Sequence, residues 1–138
     1  MNREEMKAIL PHREPMLLVD EAYVENGKAY GKYHVKGDEW FLQGHFPGNP
    51  VVPGVIQCEM MGQSCCVLLA DKIAGCTPYF TGINKVNFKG KVVPGDTLCL
   101  ECELIKAKEP FYFVEGKGFV NGKLCVSGEF SFALIKGV

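Results

Sequence analysis

Apolar residues fall along this chain in short runs cut by turn signals, with one long apolar stretch in the middle. In "MLLVDEAYVENGKAYGKYHVK" (16–36) two β-rich runs flank Asn26-Gly27, the dipeptide best able to supply the positive φ angles of a tight hairpin turn. Ahead of them, Asn2 before Arg3-Glu4-Glu5 reads as the cap of a short helix that runs to about Ile9 and stops before Pro11. Gly44, Pro47, Gly48, Pro50, Pro53 and Gly54 then mark a loop, since no regular element tolerates that density of breakers. From Gly54 to about Ala74 the pattern predicts one helix, with Pro53 at its entry, no internal proline and Gly75 just beyond its end. Its residues are apolar or small nearly all round, which marks a helix enclosed on most sides. Strand-like runs follow near 78–89, 96–108, 110–120 and 123–136, punctuated by "VVPGD" (92–96) and "NG" (121–122). The pattern therefore predicts an α+β fold: an antiparallel sheet wrapped around one long central helix. No repeat and no Gly-, Ser- or Pro-rich linker divides the chain, so residues 1–138 are expected to form a single domain.

Composition narrows the functional classes. With 47% hydrophobic and 11% aromatic residues, the chain is expected to be folded throughout most of its length. A net charge of −1 gives no electrostatic reason to expect nucleic-acid or membrane-surface binding. "MNREEMKAIL" is too polar for a signal peptide, and the apolar stretch 51–70 is interrupted by Pro53, Gln57, Glu59 and Gln63. A soluble cytoplasmic protein is the expectation. Seven cysteines, an odd number at irregular spacing, point to reduced thiols rather than a disulfide framework. "CLEC" (99–102) has the spacing of half a zinc site, but no second pair accompanies it, and positions i and i+3 of a strand face opposite sides. These cysteines are read as small buried hydrophobes, and no metal is expected.

The chemistry concentrates where the charges are missing. Between Trp40 and Ala70 the chain carries one formal charge, Glu59, and one histidine, His45. A carboxylate inside a buried helix must be paired, hydrogen-bonded or protonated. Desolvation is expected to raise its pKa, as a general acid working near neutral pH requires. Gln63, four residues on, shares its helical face and is placed to hydrogen-bond it. The competing reading is a structural glutamate satisfied by backbone groups or by a subunit partner. His45 sits in a loop fixed by glycine and proline, and imidazole takes and returns protons near neutral pH, although a loop histidine can equally be structural. The free N–H groups at the Gly54 end of the helix suit negative charge on a carbonyl oxygen. Base, acid and oxyanion donor together fit proton abstraction beside a carbonyl with loss of a leaving group.

"HFPGNPVVPGVIQCEMMGQ" (45–63) resembles the HFPGxPxxPG and E-x-M-x-Q motif of the FabZ-type β-hydroxyacyl-acyl-carrier-protein dehydratases. "LPHREPMLLVD" (10–20) and "YFTGINKVNFKGKVVPGD" (79–96) resemble two further stretches of that family, so the similarity covers most of the chain. The resemblance implies a hot-dog fold and dehydration of 3-hydroxyacyl thioesters to trans-2-enoyl products in type II fatty acid biosynthesis. It implies His45 as base at the α-carbon, Glu59 assisting departure of the hydroxyl, and the Gly54 N–H polarising the thioester carbonyl. Tyr79 matches a tyrosine that gates the acyl tunnel, and Gln63 falls with the substrate-binding residues. It further implies acyl carrier protein as partner, a homodimer whose sites are shared between subunits, often a trimer of dimers, and no cofactor. Glu14, Met16 and Lys91 depart from the family pattern, which touches chain-length preference and carrier docking; Lys89 and Lys91 are either a local patch for an acidic carrier or ordinary surface lysines. Two alternatives stay open: a bifunctional dehydratase/isomerase that makes cis-3-enoyl products, and a non-catalytic acyl-thioester-binding module.

Overall fold

The computed structural model describes residues 1–136. A one-turn helix α1 (Arg3–Met6) starts on a capping box, in which Asn2 and Glu5 each accept from the other's backbone N–H. Turns carry the chain on to Leu10, so the regular helix is shorter than the sequence suggests. Strands β1 (Glu21–Glu25) and β2 (Lys28–His34) form the expected hairpin, with φ of 51° at Asn26 and 78° at Gly27. After the loop comes helix α2 (Gly54–Cys65), then β3 (Cys76–Phe88), β4 (Thr97–Lys108), β5 (Phe111–Val120) and β6 (Lys123–Lys136). The six strands make one antiparallel sheet in the order β1-β2-β4-β5-β6-β3.

Helix α2 lies against the sheet and buries Ile56, Met60, Met61 and Cys65 in one continuous cluster with Leu98, Leu100, Val114 and Phe130. Full burial of each such side chain is worth roughly 1.5–3 kcal/mol relative to exposure. Two strand glycines let the helix come this close. A Cβ on Gly31 would fall 2.5 Å from Ser64 Cβ, and one on Gly116 would fall 2.5 Å from Met61 Sδ.

The helix expected to reach Ala74 ends its α-helical part at Cys65 and continues as a 3₁₀ turn over Cys66–Leu69. There the Cys66 thiol donates to the Gly62 carbonyl (3.3 Å), while the Cys66 N–H turns to Gln63, three residues back. Gly75, at φ 74°, closes the segment before β3. β3 is the free edge opposite β1, broken by irregularities at Phe80/Gly82 and Asn84/Asn87, and it leaves Tyr79, Phe80, Ile83 and Phe88 exposed. Cys99 and Cys102 face opposite sides of β4, one half-buried and one buried. Among the described residues, no helix is long and apolar enough to cross a membrane.

Candidate active site

The loop that carries His45 is built on its own hydrogen bonds. Phe46 and Asn49 exchange backbone bonds (3.0 and 2.8 Å) across Pro47-Gly48, with Gly48 at φ 72°. Proline first and a positive-φ glycine second are what a type II turn asks for. The His45 N–H donates to Leu42 and its carbonyl accepts from Val51, so the backbone on either side of the ring is tied. The ring stacks on Phe46 at 4.2 Å between centroids. Its Nδ1 lies 2.8 Å from the Val51 carbonyl, which can only accept. Nδ1 therefore carries the hydrogen, and Nε2 is left with the lone pair.

His45 opens into a cavity of about 700 Å³, lined also by Gly54, Phe88, Lys89 and Lys91. Gly54 begins α2. The N–H groups of Ile56 and Gln57 both return to the Pro53 carbonyl, which leaves those of Gly54 and Val55 without an intrahelical acceptor. A Cβ on Gly54 would come within 2.6 Å of the Phe88 ring, so a larger residue there would push that ring away.

Glu59 opens into a different cavity, of about 220 Å³, together with His12, Gln63, Cys66, Tyr79 and Phe132. Its Oε2 receives Gln63 Nε2 at 2.8 Å and lies 3.2 Å from His12 Nε2. Burial is the largest single influence on the Glu59 carboxyl and pushes its pKa up, but the hydrogen bonds from His12 and Gln63, with the electrostatic attraction of His12, together outweigh it. The group ends below the usual carboxylate value, which corrects the expectation of a raised one. Desolvation was foreseeable from an apolar helix; the donors that reverse it come partly from elsewhere in the chain.

His12, one of those two donors, arrives on the segment 10–20. Arg13 donates to the carbonyls of Lys7 (3.2 Å), Leu10 (2.9 Å) and His12 (2.7 Å), and Arg3 to those of Leu17 (2.6 Å) and Val19 (3.1 Å). Gln63 stitches this strap to α2: its Oε1 accepts from the Leu18 N–H and its Nε2 donates to the Met16 carbonyl, both at 2.8 Å. His12 is the residue that reading the sequence missed. It lay inside the quoted "LPHREPMLLVD", yet nothing in its own neighbourhood points to Glu59.

Within one chain, then, the structure groups His45 with Gly54 and, separately, Glu59 with Gln63 and Tyr79. Cys58, next to Glu59 in sequence, belongs to the core, because adjacent helical positions point about 100° apart. The thiol that lines the Glu59 cavity is Cys66, and burial pushes it up to about 12.

A sheet packed on one buried helix, with a histidine at the helix entry and a carboxylate further along it, defines a hot-dog-fold protein. The family model of the FabA-like domain matches residues 10–129. Among curated relatives, the 3-hydroxyacyl-[acyl-carrier-protein] dehydratase FabZ of Clostridium beijerinckii is 46% identical over 140 residues, covering 97% of this chain and 99% of the relative. The protein of that name from Caldicellulosiruptor saccharolyticus is 46% identical over 130 residues, covering 91% and 93%. The chain belongs to the FabA-like family, with the FabZ dehydratases. Among solved structures, the dehydratase heterocomplex ApeI:P from Xenorhabdus doucetiae is similar with a TM-score of 0.83, at 21% identity, over 96% of this chain and 91% of that one. The fluoroacetyl-CoA-specific thioesterase FlK is similar with a TM-score of 0.67, at 17% identity, over 83% and 90%. At these identities the likeness is one of fold.

Proposed function

We propose that this protein is a 3-hydroxyacyl-[acyl-carrier-protein] dehydratase, a hydro-lyase of fatty acid biosynthesis that removes water from 3-hydroxyacyl thioesters to give trans-2-enoyl thioesters. The observation that carries the reading is 46% identity to FabZ dehydratases over nearly the whole chain. In this reading His45 Nε2 takes the α-proton, and the electron pair moves onto the thioester oxygen, where the Gly54 N–H meets the developing charge. Collapse of that enolate forms the 2,3 double bond and expels the 3-hydroxyl, which takes a proton from Glu59 and leaves as water. Glu59 rests below the usual carboxylate value, so it must gain its proton in the substrate complex. An acyl chain that displaces water from the cavity strengthens desolvation, the influence already pushing it that way. The elimination is redox-neutral and calls for no electron-carrying cofactor. Tyr79 would control entry of the acyl chain, and Gln63 would hold Glu59.

The site would form between two subunits. Support comes from His45 and Glu59 opening into separate cavities of one chain, and from the exposed edge strand β3, whose apolar side chains lie beside both. A homodimer, further assembled as a trimer of dimers, would join them. The carrier protein's acyl-phosphopantetheine arm would enter past Lys89 and Lys91, where cations suit an acidic partner. The protein would work as one domain in the cytoplasm.

The test is to incubate the protein with a ten-carbon 3-hydroxyacyl carrier substrate and follow enoyl thioester formation. Wild type is expected to turn over, and His45→Ala and Glu59→Gln to lose roughly 10²- to 10⁴-fold. A cis-3 product would assign isomerase activity as well. Acyl binding without turnover would make the protein a binding module instead.

A further inference from the structure

We propose that His12 is a positioning residue for Glu59: with Gln63 it holds one carboxylate oxygen, Oε2, and so presents the other, Oε1, to the 3-hydroxyl of the substrate. The proposal rests on the dehydratase reading above. Two donors from different elements converge on a single oxygen, Gln63 from one helical turn further along α2 and His12 from the strap. Oε1 has no hydrogen-bond partner among the described residues, and the carboxylate lines the cavity. The terminal torsion of a glutamate is broad and roughly two-fold, so one donor alone lets the two oxygens exchange places. A second donor from another direction fixes the plane of the group.

The imidazole shows no sign of another task. Its contact with Glu59 is its only side-chain polar contact among the described residues, and its Nδ1 is buried without a partner. A ring with its hydrogen on Nε2 donates to the carboxylate and leaves Nδ1 as a bare lone pair, a lesser cost than burying an N–H with no acceptor. Nor is His12 needed to anchor the strap, whose backbone is held by Arg3, Arg13 and Gln63. The other titratable groups around Glu59 are Cys58 on α2, Cys66 at the start of the 3₁₀ turn that follows it, and Tyr79 on β3. Burial raises both thiols, so neither brings charge near neutral pH.

The experiment compares wild type with His12→Leu and His12→Gln. With His12→Leu, kcat is expected to fall roughly 10- to 100-fold, the scale of a misplaced catalytic group, with KM little changed. The limb of the pH–rate profile that belongs to Glu59 should move to higher pH, because a donor that lowers its pKa is gone. His12→Gln, which can present an amide N–H near the same point, should restore most of kcat and return the limb. A merely structural role would lower thermal stability in both variants and leave the limb in place, and that result overturns the proposal. Carboxyl NMR of Glu59 in the free protein separates this from the wider reading. If wild type shows no turnover, the dehydratase reading fails; if the Glu59 titration is unmoved in His12→Leu, the role of His12 fails.

Discussion

Glu59 is held by hydrogen bonds that exist only in the folded chain, and this makes stability depend on pH in a definite direction. Its folded pKa lies below the ordinary 4.5, so between those two values the unfolded chain binds more protons than the folded one. The stabilisation is present above 4.5 and is lost as pH falls through the folded value. Denaturant titrations at a series of pH values should therefore show a steeper acid loss for wild type than for Glu59→Gln, which has no proton to gain. The two halves of this arrangement differ in how readable they are. Gln63 stands four places after Glu59, and helical spacing alone puts the two side chains together. His12 precedes Glu59 by 47 positions in a proline-flanked stretch without periodicity, so only the folded chain reveals the contact.

At the scale of elements, both Asn-Gly turns were legible because their φ angles demand those residues: 51° and 78° at Asn26-Gly27, 51° and 79° at Asn121-Gly122. The end of α2 was not. The change to a 3₁₀ turn goes with a cysteine thiol donating to a backbone carbonyl, an event that hydrophobic periodicity does not register. Nor does periodicity report how closely a helix approaches a sheet. Gly31 faces Ser64 with no room for a methyl group, and Ser64 Oγ is itself buried with no partner among the described residues. Gly31→Ala should destabilise the fold by roughly 1–3 kcal/mol, the usual cost of overpacking. Ser64→Gly in the same chain should recover part of that loss. Denaturant melts of the two single variants and the double variant give the coupling between the sites.

For the whole molecule, a site assembled from two subunits has a numerical signature. Mixed refolding of the inactive His45→Ala and Glu59→Gln chains should yield dimers of which half pair the two types, each with one intact site and one doubly altered. Activity should return to about a quarter of wild type. No recovery, with mixed dimers verified by mass, would place both residues of each site in a single chain. Edge strand β3 allows a companion test. Ile83→Lys puts a charge among its exposed apolar side chains and should shift sedimentation toward monomer while abolishing turnover. The strap carries a lesson for protein engineering. A buried helix with its glutamate looks like a portable cassette, ready to be moved onto another sheet of the same shape. Its carboxylate, though, borrows a donor from a segment some forty residues upstream, and Gln63 is oriented by the backbone of that same segment. Transplanted alone, the cassette would deliver the right atoms without their aim; the smallest transferable unit is helix plus strap, two pieces far apart in sequence that must travel together.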